Sequence, residues 1–161
     1  WKNLLNFIKI YRLWFLEKYF SSVDNIYEFG CGTGFNLLAA ISIFPEKKLF
    51  GSDFVQSSVD LVNEIGKSKK INLQGDLFNM LSPDYDYQIL QNSGIFTFGS
   101  LEQLASDVDP ILNFFISKKP NICVHTEPVI ELYDKENNLS DFLAAKFQDK
   151  YDSQSFKGKW V

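Results

Sequence analysis

The stretch Asn25-Ile26-Tyr27-Glu28-Phe29-Gly30-Cys31-Gly32-Thr33-Gly34 decides the fold. Ile26, Tyr27 and Phe29 are strand-favouring, and Asn25 to Phe29 reads as a β-strand. The residues after it, Phe35 to Phe44, read as a helix that Pro45 stops. Between strand and helix lie three glycines at alternate positions. They remove Cβ atoms from the bend and permit backbone angles closed to other residues. In a doubly wound sheet the first strand-to-helix turn lies at the carboxyl edge, where ligands bind.

The residues after the bend narrow the choice of ligand. A phosphate-binding P-loop needs Gly-Lys-Ser or Gly-Lys-Thr, whereas this chain has Gly34-Phe35-Asn36. A dinucleotide fingerprint needs a small third residue for close helix packing. The corresponding places hold Phe35 or Leu37, so an NAD-dependent oxidoreductase is a disfavoured alternative.

Outward from the bend, strands and helices alternate. The pattern predicts strands at Lys48–Ser52, Lys70–Leu73, Gly94–Phe98 and Asn121–Thr126. Helices are predicted at Val55–Ile65, ended by Gly66, and at Leu139–Tyr151. The helical period from Leu101 to Ser117 contains Asp109-Pro110, which reads as an N-cap and first helical residue and splits it in two. Residues 81–92 read as a loop. Before the first strand, Leu4, Phe7, Ile8, Tyr11, Trp14 and Phe15 share one helical face. That face reads as packing on the core; a lid or a partner-binding helix are the sharper readings. The expected fold is therefore α/β: a three-layer Rossmann-like doubly wound, mainly parallel sheet. One domain is expected over residues 1–161, with an N-terminal helix at 1–20, a ligand-binding core at 25–128 and a C-terminal segment at 129–161.

Composition excludes several classes. Hydrophobic residues make up 45% of the 161 and charged residues 22%, which fits a globular chain. The formal net charge of -4 disfavours nucleic acid as a partner, because phosphate contacts need clustered cations. Lys67, Lys69 and Lys70 are the nearest thing to a basic patch and read as a solvated loop. Cys31 and Cys123 fall in apolar segments and suggest neither a disulfide nor a zinc site. A cytoplasmic location is the corresponding expectation. The single histidine, His125, argues against a His-rich metal site. The N-terminal apolar stretch carries Lys9, Arg12, Glu17 and Lys18, so no membrane span is expected, and no signal peptide is visible.

An acid two residues before Gly30-Cys31-Gly32-Thr33-Gly34 resembles the first motif of class I (Rossmann-like) S-adenosylmethionine-dependent methyltransferases. Three further segments match that family in order: Leu49-Phe50-Gly51-Ser52-Asp53, Gln74-Gly75-Asp76-Leu77, and Phe98-Gly99-Ser100-Leu101-Glu102-Gln103. The resemblance spans residues 25–128. It implies S-adenosyl-L-methionine as cofactor, with Gly30, Cys31, Gly32 and Gly34 wrapping its amino acid and ribose. Glu28 would serve the loop amides and the ammonium region. Asp53 would accept both ribose hydroxyls, or cap the next helix. Phe54 joins the same set. Gly75, Asp76 and Leu77 would face the adenine, with Phe78 stacked nearby, and Phe98 would flank the methyl group. The family usually has seven strands, the last two forming an antiparallel hairpin. Only five are counted here, and Ser153 to Val161 is too short for the missing pair.

The resemblance implies an enzyme that aligns a nucleophile with an activated methyl and excludes water. An oxygen nucleophile also needs its proton removed. His125 and Glu127 lie at the end of the fifth strand, on one side of it, and are the candidate catalytic pair. Glu131 and Tyr133 offer further polar groups. The segment Thr97-Phe98-Gly99-Ser100 does not match the Asn-Pro-Pro-Tyr type linked to amino-group methylation. The expected acceptor is a small molecule, a hydroxyl of a sugar or metabolite. A noncatalytic cofactor-binding module, using the N-terminal helix as an interface, is the alternative. The sequence leaves the oligomeric state open.

Overall fold

The computed structural model describes residues 2–104, 107–128 and 132–155, and the side chains of 5–104, 107–128 and 132–147. Helix α1 (Lys2–Phe20) leads into β1 (Asn25–Phe29), α2 (Phe35–Ile43), β2 (Lys48–Asp53), α3 (Gln56–Lys69), β3 (Leu73–Leu77) and β4 (Ser93–Phe98). A 3-10 turn (Leu101–Leu104), α4 (Asp109–Lys118), β5 (Ile122–Thr126) and α5 (Leu139–Ser155) follow. The sheet order is β3-β2-β1-β4-β5, and every described strand pair is parallel. The order reverses between β1 and β4, so the crevice for a ligand opens at the carboxyl end of β1.

Alternation along β1 divides the core into two layers. Ile26 faces a cluster with Phe15, Leu16 and Phe20 of α1 and Leu37 and Ala40 of α2, and α3 adds Val62. Tyr27 and Phe29 face the other cluster, with Ile111, Phe114 and Phe115 of α4 and Phe78 and Met80 beyond β3. β1 is buried along its whole length, as a central parallel strand covered on both faces must be.

The main boundary differences from the sequence reading lie around β3, α3 and α4. The third strand is Leu73–Leu77 rather than 70–73, because α3 runs on to Lys69 and Lys70 closes it in the left-handed region. Gly66 therefore lies inside α3 instead of ending it. A Cβ there would sit 2.2 Å from the Leu73 carbonyl oxygen, so glycine lets helix and strand touch. Pro110 does split the fourth helical stretch, but Val108 is the cap and Asp109 the first helical residue.

The buried stripe of α1 is also rotated from the expected one. Phe15, Leu16 and Phe20 are buried, whereas Phe7 and Trp14 are exposed; the Leu4 side chain lies outside the described residues. The reason is the position of α1 over β4: Phe15 and Phe20 both meet Phe96 edge-on, and Gly94 leaves room for the Phe20 ring.

Gly66→Ala tests the α3–β3 contact. Overpacking against backbone should cost about 1–3 kcal/mol, read as a lower urea midpoint. An unchanged midpoint would show that the two elements do not touch there.

Candidate functional site

The bend after β1 is held from β2. Gly30 and Cys31 donate their N–H groups to the Ser52 carbonyl at 2.8 and 3.1 Å, and Gly34 donates to Cys31 at 2.9 Å. Gly32 donates to Asp53 Oδ2 at 2.8 Å, and Val55 donates to Asp53 Oδ1 at 2.9 Å. One carboxylate thus fixes both the bend and the entry to α3. Each of its oxygens retains a further acceptor lone pair.

The three glycines of the bend lie at φ 75°, 51° and 76°, the left-handed region. Their surroundings differ. A Cβ on Gly30 would sit 2.4 Å from the Ser100 Cβ, and one on Gly34 would press on Val62 at 3.2 Å. A Cβ on Gly32 would meet nothing within 4 Å among the described residues. Gly30 and Gly34 therefore serve packing, while Gly32 fronts open space.

That space is a cleft of about 610 Å³ at the carboxyl ends of the strands, a volume suited to a small ligand. Gly30 and Gly32 form its floor, Asp53, Phe54 and Val55 one side, and Phe78, Asn79, Met80 and Leu81 another. Ser100, Gln103, Leu104 and Asp107 close it from beyond β4. Phe54 is 47% exposed and offers an aromatic surface at the rim. Ser100 donates its hydroxyl to the Phe29 carbonyl at 2.9 Å, tying the β4 loop to the bend.

Several residues named from sequence stand elsewhere. Gly75 faces α3, where a Cβ would lie 2.7 Å from the Val59 carbonyl. Asn63 holds both its N–H and its carbonyl, at 2.8 and 2.9 Å. Asp76 accepts from Gln74 at 2.8 Å and from the Tyr87 hydroxyl at 2.9 Å. Leu77 is exposed and, like Asp76, is not part of the cleft wall. Phe98 packs against Tyr11 and Phe15 of α1. Cys31 is buried, its sulfur beside Gly51, and burial pushes its thiol far up.

His125 and Glu127 are not brought together at the cleft. The His125 ring bonds Thr97 Oγ1 through Nδ1 at 2.8 Å, contacts the Cys123 sulfur at 3.4 Å and stacks on Phe115. Burial lowers its pKa, against the pull of Glu127. Glu127 accepts the N–H groups of Ser100 and Glu102, each at 3.3 Å, and so braces the β4 loop. Strand alternation predicts a shared side for the two, but β5 ends at Thr126, and the partners of His125 and Glu127 differ. Glu131 lies outside the described residues.

Glu28 is 1% exposed. Its Oε1 accepts from Asn36 Nδ2 at 2.6 Å, and its Oε2 has no hydrogen-bond partner among the described residues. Desolvation pushes its pKa up to about 8; the Asn36 bond and the Arg12 charge oppose this, and Asp53 adds to it. The roles of Arg12 and Asn36 leave no local trace in the sequence, because Arg12 reaches Asn36 across 24 residues. Asn79 to Leu81 went unrecognised because they follow a strand whose end was misplaced.

No family model matches this chain, and a search of curated proteins finds no match. Solved structures do match it in fold. The O-methyltransferase from a trans-AT PKS multienzyme of Brevibacillus brevis, in complex with S-adenosyl-L-homocysteine, aligns with TM-score 0.58 and 16% identity. It covers 73% of this chain and 40% of its own. PKMT2 from Rickettsia typhi, in complex with AdoHcy, aligns with TM-score 0.58 and 18% identity over 95% of this chain and 33% of its own. The chain thus spans less than half of either solved structure. Its fold is the class I, Rossmann-like methyltransferase fold. Among the described residues, no helix is long and apolar enough to cross a membrane.

The raised Glu28 pKa has a stability consequence. The folded chain keeps this proton while the unfolded chain loses it near pH 4.5. The contribution is full below that pH and is lost as pH rises to about 8. Urea unfolding of the unaltered chain and Glu28→Gln should therefore show the variant gaining relative stability across that window. A constant difference would place the Glu28 pKa at its ordinary value.

Proposed function

We propose that this chain binds S-adenosyl-L-methionine in the cleft above Gly32 and takes part in methyl transfer to a small-molecule acceptor, a hydroxyl of a sugar or metabolite. The observation that carries the reading is the open Gly32 position, a cradle that any Cβ would fill, with the Asp53 carboxylate at its edge. Two similar folds hold S-adenosylhomocysteine, which supports the same ligand class here.

The residues present fit the cofactor. The backbone of Gly30 and Gly32 would receive the amino acid part without steric conflict. Asp53 would accept the ribose hydroxyls on its remaining lone pairs. Phe54, Phe78, Met80 and Leu81 supply an apolar and aromatic wall for a purine. Of the other residues drawn from the resemblance, Gly34 and Cys31 shape the bend, Gly75 seats α3 and Phe98 seats α1; Glu28 acts from beneath. Asp76 and Leu77 are β3 residues outside the cleft wall, so the adenine contact falls to the residues that follow them. When bound, the cofactor supplies an electrophilic methyl on a sulfonium.

The chain's own residues then position and desolvate. Ser100, fixed by Phe29 and Glu127, sets the wall beside the bend. Gln103 and Asp107 give the acceptor end its polar groups. In this reading Glu127 is a positioning residue, and His125 orders the β4–β5 edge through Thr97. Holding acceptor and methyl in line is the main source of acceleration such a site can offer.

Asp53→Ala tests the reading by calorimetry with S-adenosylhomocysteine. Loss of charge-assisted bonds should weaken affinity by about 1–3 kcal/mol. The unaltered chain should not bind NAD. Binding of NAD alone, or an Asp53→Ala variant of full affinity, would contradict the assignment. Tight cofactor binding without methyl transfer to any hydroxylated metabolite would favour the noncatalytic module.

A further inference from the structure

Beneath the bend, on the sheet face covered by α1 and α2, a second polar arrangement spans three elements. Arg12 of α1 donates from Nε to Asn36 Oδ1 at 2.5 Å. Asn36, in the first turn of α2, donates from Nδ2 to Glu28 Oε1 at 2.6 Å. Glu28 lies at the end of β1, one residue before Phe29 leads into the bend, and its Oε2 is buried without a hydrogen-bond partner among the described residues. The relay therefore grips the chain on both sides of Gly30 to Gly34.

We propose that Arg12 is a positioning residue of the cofactor site: acting through Asn36 on Glu28, it couples docking of α1 to loading of the glycine bend. The inference rests on the cofactor reading above and adds a control that the reading does not contain.

Asn36 can present either its oxygen or its NH₂ toward Glu28. A guanidinium is always charged and donates only, so Arg12 holds the amide oxygen to itself and turns the NH₂ onto the carboxyl. Without Arg12 nothing in the relay fixes that orientation, and the flipped amide would set oxygen against oxygen in a buried place. The flanks of the bend would then separate, or Glu28 would have to stay protonated.

Charge points the same way. The groups facing Glu28 are Arg12 from α1, the uncharged Asn36 from α2, Asp53 from β2 and the thiol of Cys31 in the bend. Of these, only Arg12 is cationic. An ammonium-bearing ligand in the bend would add a second cation near Glu28 and favour its ionised form. Ligand and Arg12 then favour the same state of one carboxyl, which is a coupling between them.

The test is calorimetric titration of S-adenosylhomocysteine from about pH 6 to about pH 10. Affinity of the unaltered chain should rise through about pH 8, where Glu28 ionises. Arg12→Met should bind roughly tenfold more weakly, with the rise moved to higher pH, and Arg12→Lys should restore part of both. Glu28→Gln should show no such rise, and adding Arg12→Met to it should move nothing further in the pH profile. Should Arg12→Met fail to fold, Asn36→Ala breaks the relay from α2 and must show the same loss. Arg12→Met or Asn36→Ala with the affinity and pH profile of the unaltered chain overturns the inference alone. Failure of the unaltered chain to bind overturns the cofactor reading together with it.

Discussion

The Asp53 carboxylate, accepting one N–H from Gly32 and one from Val55, is the constraint on which the site depends. It joins the ends of two adjacent parallel strands through their loops. With the Ser52 carbonyl it satisfies three of the amides that a tight bend would otherwise leave without partners. The bend can then stay free of side chains and still be rigid. A flexible glycine loop would have to be ordered on binding, at a cost in backbone entropy for each residue. Here much of that cost is met during folding by the sheet.

The rest of the architecture brings walls to this fixed floor. The reversal of strand order between β1 and β4 opens the crevice, and Ser100 reaches across it to the Phe29 carbonyl. Glu127 braces the same loop from the end of β5, so all five described strands contribute to one edge, β3 through Phe78 and the residues after it. On the opposite side of the bend, α1 is more than a cover. Its buried stripe packs on Phe96, and its Arg12 reaches the flank of the bend through Asn36. Packing and polar contact thus come from neighbouring turns of one helix.

Much of this was legible in the sequence. The run Asn25 to Gly34 gave β1 and its bend without error, because a buried parallel strand and three alternate glycines leave little choice. Lys48 to Asp53 gave β2 and the carboxylate. The third strand slipped because Gly66 resembles a helix stop; its actual role is contact with the Leu73 carbonyl, which only tertiary structure reveals. Asp76 and Phe98 sat at plausible places but face Tyr87 and α1, and side-chain direction at a strand end is set by what packs there. His125 lies on β5 and Glu127 just beyond its end. Their partners, Thr97 and the amides of Ser100 and Glu102, come from distant segments and leave no local trace.

The central claim is that the bend around Gly32 is the floor of a cofactor site. Amide chemical shifts of the isotope-labelled chain, followed during titration with S-adenosylhomocysteine, test it most directly. Saturable shifts should concentrate at Gly30, Gly32, Asp53 and Phe54 and spread to the β4 loop at Ser100. Saturable shifts confined to other parts of the chain, with the Gly30 and Gly32 amides unmoved, would contradict it.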